Sequence, residues 1–201
     1  GGARFDPGML YFSPQIWCSD DTDAIERLAI QESTALMYPL SVIGAHVSDC
    51  PNHTVGRVTP FKTRGIIAMA GTFGYELDVT KIPEEDRNMI ASQVETYKKY
   101  CPIIQSGDYY RIASYQSNHY FDCYEIVSKD KKEAILVFVQ VIAQPNMHSI
   151  RVKLKGLDNE AKYKINGTVY DADALMNCGF IIKRPWGDFQ AELFYVEKIN
   201  G

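Results

Sequence analysis

The stretch QIWCSDDTDAIERLAIQESTALMY, residues 15–38, decides the fold of the first half of the chain. Residues 15–18 are mostly apolar, with branched and aromatic side chains, which predicts a short buried strand. The period then changes, and apolar residues recur near one helical face, which predicts an amphipathic helix that ends at Pro39. A strand followed directly by a helix is typical of a parallel α/β architecture.

The predicted helix has an apolar face turned inward and a polar face turned away from it. The inward face is Ile25, Leu28, Ala29 and Leu36, and the outward face is Glu26, Arg27, Gln31 and Glu32.

Three carboxylates fall between the predicted strand and helix. Asp21, Thr22 and Asp23 suit an N-cap and first turn, because their oxygens accept unpaired backbone N–H groups and negative charge favours a helix start. Asp20 lies where the strand ends, which is the edge at which parallel α/β barrels carry their catalytic side chains. The spacing alone leaves two interpretations open, a helix cap and a catalytic acid, and it favours the cap because acidic helix starts are common.

The rest of the chain changes character near residues 102–107. Before that point the pattern predicts a strand over 38–47, a buried helix over 59–74, and a helix that starts at Pro83 and is stopped by Pro102. Beyond residue 106 the period is two, which predicts an antiparallel sandwich. Its predicted strands are residues 108–115, 120–128, 133–143, 148–157, 161–170 and 190–198, with a turn at Asn166-Gly167.

Composition excludes several classes of protein. The chain has 201 residues, 46% of them hydrophobic, and a net charge of -4 with the two signs mixed, so nucleic acid is not expected as a partner. No apolar run approaches the roughly 20 residues of a membrane helix, and nothing marks export, so we expect no membrane association and a cytoplasmic location. Five scattered cysteines predict reduced, mostly buried thiols, and their spacing suggests no zinc site.

Several long motifs resemble glycoside hydrolase family 36, the bacterial α-galactosidases or melibiases. They are residues 1–48, CPNHTVGRVTPFKTRG (50–65), AGTFGYELD (70–78), LKGLDNEAKYKIN (154–166) and DADALMNCGF (171–180). The similarity covers essentially the whole chain. It implies α/β plus all-β architecture: the C-terminal part of the catalytic (β/α)8 TIM barrel in residues 1–104, then an antiparallel β-sandwich domain in residues 105–201.

The resemblance also implies a mechanism. Asp20, the first Asp of W-C-S-D-D-T-D, matches the family's catalytic acid/base in a retaining hydrolysis that needs a second carboxylate about 5 to 5.5 Å away. That nucleophile is an Asp in a K-W-D motif, which this sequence does not contain, so we expect the chain alone to be inactive. The implied substrates are α-galactoside oligosaccharides such as melibiose and raffinose, the implied partner is the remainder of the barrel, and no metal or organic cofactor is implied. A homo-oligomer stays open.

Other residues carry weaker expectations. Trp17 either binds substrate as an apolar wall beside the sugar or packs below the strand, and the two interpretations have equal weight. His46 is expected to be structural, and Asn52 and His53 to be turn residues. The run Gly1–Asp6 matches the end of a family motif, C-x-G-G-G-R-F-D, whose Cys contributes to the sugar pocket. Cys18 stands where many relatives have Thr, and its side chain is expected on the strand face opposite Asp20.

Two alternative functions stay open. An α-N-acetylgalactosaminidase would use the same two-carboxylate chemistry. A non-catalytic carbohydrate-binding module, with the sandwich as its working part, is a different class of protein, and the resemblance around Asp20 favours it least.

Overall fold

The computed structural model describes residues 6–146 and 149–199. The chain divides into two compact units between Gln105 and Ser106. The first unit alternates strands with helices, and the second consists mainly of strands. Both halves therefore have the secondary structure that their hydrophobic periods predict.

The first unit contains two parallel strands and three helices among its described residues. They are α1 (Ala24–Ala35), β1 (Gly44–Ser48), α2 (Phe61–Ala68), β2 (Thr72–Glu76) and α3 (Glu84–Ser106). Strands β1 and β2 pair in register, from Gly44 opposite Thr72 to Ser48 opposite Glu76. Val47 of β1 packs against Phe61 and Ala68 of α2, so helix α2 covers one face of this sheet.

Two of the predicted boundaries in this unit are wrong. The helix predicted over 59–74 ends at Ala68, and residues 72–76 form strand β2. The strand predicted over 38–47 contains a 3₁₀ turn at Leu40–Val42, and its backbone is extended from Ile43, with β1 starting at Gly44. In both cases the backbone changes between helical and extended conformation within one continuous apolar run. The sequence does not reveal the change, because buried helices and buried strands have similar sequences over short stretches.

Pro102 does not stop helix α3, contrary to the sequence prediction. The helix continues through it to Ser106. A proline inside a helix removes one backbone hydrogen bond, but the following turn carries Ile103 and Ile104, both buried. Burial of two isoleucine side chains offsets that loss.

The outward face predicted for α1 is also wrong in part. Arg27, Gln31 and Glu32 are buried, whereas Leu36 is 54% exposed. Arg27 and Gln31 donate hydrogen bonds to backbone carbonyls outside their helix, so their polar groups keep partners when buried. Leu36 is the C-cap and lies beyond the last helical residue.

The second unit is an antiparallel β-sandwich. Within the described residues, one sheet has the order β3-β4-β5-β10-β7-β8 and the other pairs β6 with β9. The strands are β3 (Asp108–Ala113), β4 (Phe121–Val127), β5 (Glu133–Gln140), β6 (Ser149–Val152), β7 (Lys162–Ile165), β8 (Thr168–Asp171), β9 (Phe180–Lys183) and β10 (Gln190–Ile199). A helical turn, α4 (Tyr115–Asn118), precedes β4, and a π-helical turn, Ala174–Cys178, precedes β9.

The sandwich agrees with most of the predicted strands, but the strand predicted over 148–157 ends at Val152. Residues 161–170 form the hairpin β7–β8, whose turn residues Asn166 and Gly167 have φ of 50° and 80°. Positive φ at both positions is what an Asn-Gly turn provides. Strand β9 was not predicted. Its residues Phe180 and Ile182 join the core with Phe138 and Tyr163 of the larger sheet.

Candidate active site

Asp20 follows a short extended segment that pairs with the start of β1. Ile16 forms a parallel bridge with Ile43, in which the Ile16 N–H donates to the Val42 carbonyl (2.7 Å) and the Gly44 N–H donates to the Ile16 carbonyl (2.8 Å). This bridge replaces the buried strand predicted over residues 15–18. The direction is parallel to β1 and β2, so Asp20 lies just beyond the carboxyl end of the segment, as predicted.

The segment is not a strand because Cys18 leaves the extended conformation. Its φ is +66°, and the Ser19 N–H donates to the Trp17 carbonyl at 2.8 Å. A hydrogen bond between residues two apart, around a residue of positive φ, defines the rare form of γ-turn. Strand alternation does not apply across this turn, so the reason for placing the Cys18 side chain opposite Asp20 does not hold, and that placement stays a prediction.

The three carboxylates divide into different roles. Asp23 is the N-cap of α1, and one of its oxygens accepts from the N–H groups of Ile25 and Glu26, both at 3.0 Å. Asp21 accepts from the Asp23 N–H at 2.8 Å. Asp20 is exposed at the carboxyl end of the extended segment. The structure therefore confirms capping for part of the cluster, while the catalytic role of Asp20 stays a prediction.

The loop after β1 closes over the start of α1. Arg57 forms an ion pair with Asp23, and the Asn52 side chain donates to the Thr22 hydroxyl at 3.1 Å. The Asn52 side-chain oxygen accepts from the N–H groups of Thr54 and Val55, which confirms Asn52 as a turn residue. The acidic cluster is thus held from its own helix and from the neighbouring loop.

Trp17 and His46 stack on one side of the segment and β1. Their ring centroids are 4.2 Å apart, with the planes 32° from each other. A Cβ at Gly44 would lie 3.3 Å from the Trp17 ring, and one at Gly74 would lie 3.0 Å from the His46 ring. Both rings therefore lie over glycines of an adjacent strand. Trp17 is 36% exposed, which excludes full burial and leaves the prediction that it contacts substrate untested.

His46 is a partly buried side chain. Burial lowers its pKa, and Glu76 and Arg27 act on it more weakly in opposite directions. Its Nδ1 atom is buried and has no hydrogen-bond partner among the described residues. Stacking on Trp17 fits the structural role predicted for it.

Arg27 is a buried residue beside the candidate site that the sequence pattern placed on the wrong face of its helix. It is 5% exposed, and its guanidinium donates to the carbonyls of Trp17, Ser19 and Gly44. Helical periodicity assigns charged residues to the outward face, so no signal in the sequence indicated this position. The guanidinium joins the segment that carries Asp20 to the start of β1.

Other predictions concern the first residues and cofactors. Residues Gly1–Phe5, which carry most of the predicted match to the family's glycine motif, lie outside the described part of the chain. Within residues 6–146 and 149–199, no cluster of three or more His, Cys, Asp or Glu side chains is arranged to hold a metal ion. The five cysteines are free. In the same ranges, no helix combines the length and apolar character of a membrane span.

A parallel segment that ends in an acidic loop, followed by a sandwich, is consistent with a barrel glycosidase that carries an accessory domain, and the family comparison gives this class of protein. The melibiase model matches residues 1–107, and the glycosyl hydrolase family 36 C-terminal domain model matches residues 121–196. The chain belongs to this family of melibiases. Its fold is accordingly the predicted C-terminal part of a (β/α)8 barrel followed by an antiparallel β-sandwich.

Individual relatives are similar along the whole chain. Alpha-galactosidase AgaA of Geobacillus stearothermophilus is 45% identical over 202 residues, and Mel36A of Lactobacillus acidophilus is 44% identical. Each alignment covers 100% of this chain and 27% of the relative. Among solved structures, an AgaA variant in complex with raffinose has a TM-score of 0.94 at 44% identity, covering 99% of this chain and 28% of that one. The chain thus spans about a quarter of the length of these relatives.

Proposed function

We propose that this chain is part of a retaining α-galactosidase that releases terminal α-linked galactose from oligosaccharides such as melibiose and raffinose. The similarity to alpha-galactosidases along the whole chain, at 45% identity to AgaA, carries this proposal. The structures of AgaA variants with raffinose and with stachyose support the substrate class. The same relatives favour galactose over N-acetylgalactosamine, and an enzyme over a binding module.

In the proposed mechanism Asp20 is the general acid and base. It protonates the departing glycosidic oxygen while a nucleophile from another part of the barrel attacks the anomeric carbon, and it then deprotonates the water that releases galactose. Asp20 is exposed beyond the carboxyl end of the parallel segment, which supports this role. Asp21 and Asp23 instead accept backbone hydrogen bonds at the start of α1, which leaves Asp20 as the candidate of the three. Trp17 would form the apolar wall beside the sugar.

The proposed domains are residues 1–104 for the C-terminal part of the catalytic barrel and residues 105–201 for the sandwich. The remainder of the barrel is the required partner, because the nucleophile motif K-W-D does not occur in these 201 residues. We therefore expect residues 1–201 alone to lack hydrolytic activity and the full-length enzyme to have it. Measurable hydrolysis by the 201-residue chain would contradict this.

The exchange Asp20→Ala in the full-length enzyme tests the assignment. Raffinose, whose leaving group is a sugar, needs protonation, whereas p-nitrophenyl α-galactoside carries a leaving group that departs with little help. We expect kcat/KM for raffinose to fall by about 10²- to 10⁴-fold, which is the usual contribution of a general acid, and that for the aryl substrate to fall much less. Asp21→Asn is the matched control and should leave both values unchanged.

An equal loss on both substrates, or a larger effect in the Asp21→Asn control, would overturn the assignment of Asp20. The two exchanges are adjacent in the chain. Asparagine at position 21 also keeps the side-chain oxygen that accepts from the Asp23 N–H. The comparison therefore separates chemistry from loop stability.

We also propose a cytoplasmic enzyme of carbohydrate metabolism. Five free cysteines suit a reducing compartment, where disulfides are rare. Fractionation of the source cells should find the activity in the cytosol. Activity in the culture medium or at the cell surface would contradict this location.

A further inference from the structure

The turn that precedes Asp20 is strained. Cys18 has φ of +66° at the centre of a γ-turn, in which the Ser19 N–H donates to the Trp17 carbonyl. This form of γ-turn is rare, and a residue other than glycine keeps it only where the surrounding structure fixes it. Something outside the turn must therefore hold it in place.

Arg27 provides that support. Its Nη1 atom donates to the carbonyls of Trp17 and Ser19, both at 3.3 Å, and these are the two residues that flank Cys18. Its Nη2 atom donates to the Gly44 carbonyl at 2.7 Å. One planar cation thus joins both sides of the turn to the first residue of β1. A guanidinium can do this because its five donors form a rigid fork, which a lysine ammonium does not provide.

The orientation of Arg27 is fixed in turn by Gln31. The Arg27 Nε atom donates to the Gln31 side-chain oxygen at 3.2 Å, and the Gln31 amide donates to the Ile67 carbonyl at 2.9 Å. Both side chains are buried. The contacts therefore run from the turn at Cys18 through α1 to the end of α2.

Arg64 shows what a buried arginine does elsewhere in the same unit. It donates to the carbonyls of Ser48 and Thr59 and pairs with Asp86. Those carbonyls belong to the end of β1 and the loop that follows it. Both arginines are buried and bind backbone carbonyls, but only Arg27 binds carbonyls next to Asp20: two of its three carbonyl acceptors lie one and three residues before Asp20.

We propose that Arg27 is the positioning residue for the acid/base, because it holds the γ-turn at Cys18 and so sets the direction in which Asp20 leaves the segment. This inference rests on the proposed role of Asp20. Without the fork, Cys18 can return to negative φ, which redirects the following residues. A displacement of about 1 Å at a catalytic group costs about 10²-fold in rate.

The exchange Arg27→Lys in the full-length enzyme tests the proposal, with Arg64→Lys as the matched control. The positioning role predicts a fall in kcat/KM for raffinose of about 10- to 100-fold in Arg27→Lys, with little change for p-nitrophenyl α-galactoside. Arg64→Lys should change the two substrates by the same factor. Equal losses in Arg27→Lys, or no loss, would overturn the proposal and leave Arg27 with a structural role.

A second variant covers the case in which Arg27→Lys does not fold. Cys18→Pro keeps Arg27 but fixes φ near −65°, which is incompatible with the turn. The same raffinose-specific loss is expected, and unchanged raffinose hydrolysis in folded Cys18→Pro enzyme would overturn the proposal.

Asp20→Ala, measured on the same two substrates, separates this inference from the proposed function. If Asp20→Ala shows the raffinose-specific loss and Arg27→Lys does not, only the role of Arg27 fails. If Asp20→Ala affects both substrates equally, the assignment of Asp20 as the acid/base fails and the positioning role of Arg27 fails with it.

Discussion

The two units of this chain are stabilised by different interactions. In the sandwich, side chains from both sheets, such as Phe138 and Ile182, form one continuous apolar core. In the barrel part, buried Arg27 and Arg64 join loops to helices through backbone carbonyls, while Tyr11, Phe12 and Met37 are exposed. The sandwich therefore has a continuous core of its own, although Trp186 and Ile181 are exposed on it, whereas the barrel part presents apolar surface that we expect the remaining strands and helices of the barrel to cover.

The largest expected consequence concerns independent folding. We expect residues 106–201 expressed alone to unfold in one cooperative transition in urea, because their core is complete. Residues 1–105 alone should aggregate or show no cooperative transition. Circular dichroism and size-exclusion chromatography of both fragments check this. A monomeric, cooperatively folded 1–105 fragment would contradict the comparison.

Truncation of a core residue of the sandwich should have the next largest effect. Phe138 is fully buried, and its ring lies 5.5 Å from that of Phe121. Phe138→Ala should lower the free energy of unfolding of the sandwich by about 3–5 kcal/mol, since it removes a buried aromatic ring and leaves a cavity. Val169→Ala at an exposed position is the control, with a change within about 0.5 kcal/mol. Urea unfolding of the 201-residue chain measures the change in unfolding free energy for each variant. If Phe138→Ala and Val169→Ala changed it equally, Phe138 would not be a core residue of the sandwich.

Glu125 gives the sandwich a dependence on pH that its core alone would not have. Burial raises the pKa of this carboxyl from 4.5 to about 8. The hydrogen bond from the Lys155 backbone N–H and the positive charge of Lys155 lower the pKa, but by less than burial raises it. Between these values the folded state holds a proton that the unfolded state has lost, so stability falls as pH rises from about 4.5 to about 8 and is level above that. The expected slope is at most about 1.4 kcal/mol per pH unit.

The exchange Glu125→Gln tests this, because glutamine keeps an oxygen for the Lys155 N–H and does not titrate in this range. Urea unfolding of the 201-residue chain at several pH values should show the slope in the native sequence and a flatter profile in the variant. If stability fell with pH equally steeply in both proteins, titratable groups other than Glu125 would cause the pH dependence.

A smaller effect is expected at the start of α1, where polar contacts stabilise the barrel part. Asp23→Ala removes the N-cap acceptor of two backbone N–H groups and the partner of Arg57. We expect a loss of about 1–2 kcal/mol, measured by denaturant unfolding of the full-length enzyme. Ser33→Ala on the exposed side of the same helix is the control. If both exchanges had the same effect, the cap would not contribute.

The sequence predicted features that depend on local chemistry. The cap at Asp23, the Asn166-Gly167 turn and the period-two strands follow from neighbouring residues, and the structure confirms them. The buried Arg27 and the continuation of α3 through Pro102 depend on distant partners, so local rules assigned both incorrectly. Strand β2 was hidden in an apolar run for a related reason, because its extended form depends on pairing with β1.

The same distinction applies to the candidate site. The position of Asp20 beyond a parallel segment was predicted from the order of strand and helix, and it is found there. The γ-turn at Cys18 was not predicted, because nothing in the composition of residues 15–20 requires positive φ. The hydrogen bonds from Arg27 to the carbonyls on either side of the turn explain it, and local sequence rules do not include contacts between residues that distant in the chain.

The most direct test of the central claim is the stereochemistry of azide rescue in the full-length Asp20→Ala enzyme with p-nitrophenyl α-galactoside. Azide needs no general base, so it should restore turnover by attacking the glycosyl-enzyme intermediate, and two inversions should give α-galactosyl azide. Nuclear magnetic resonance of the product distinguishes the anomers. Formation of β-galactosyl azide would make Asp20 the nucleophile, and unchanged turnover without azide would return it to a role in the helix start; either result would contradict the account.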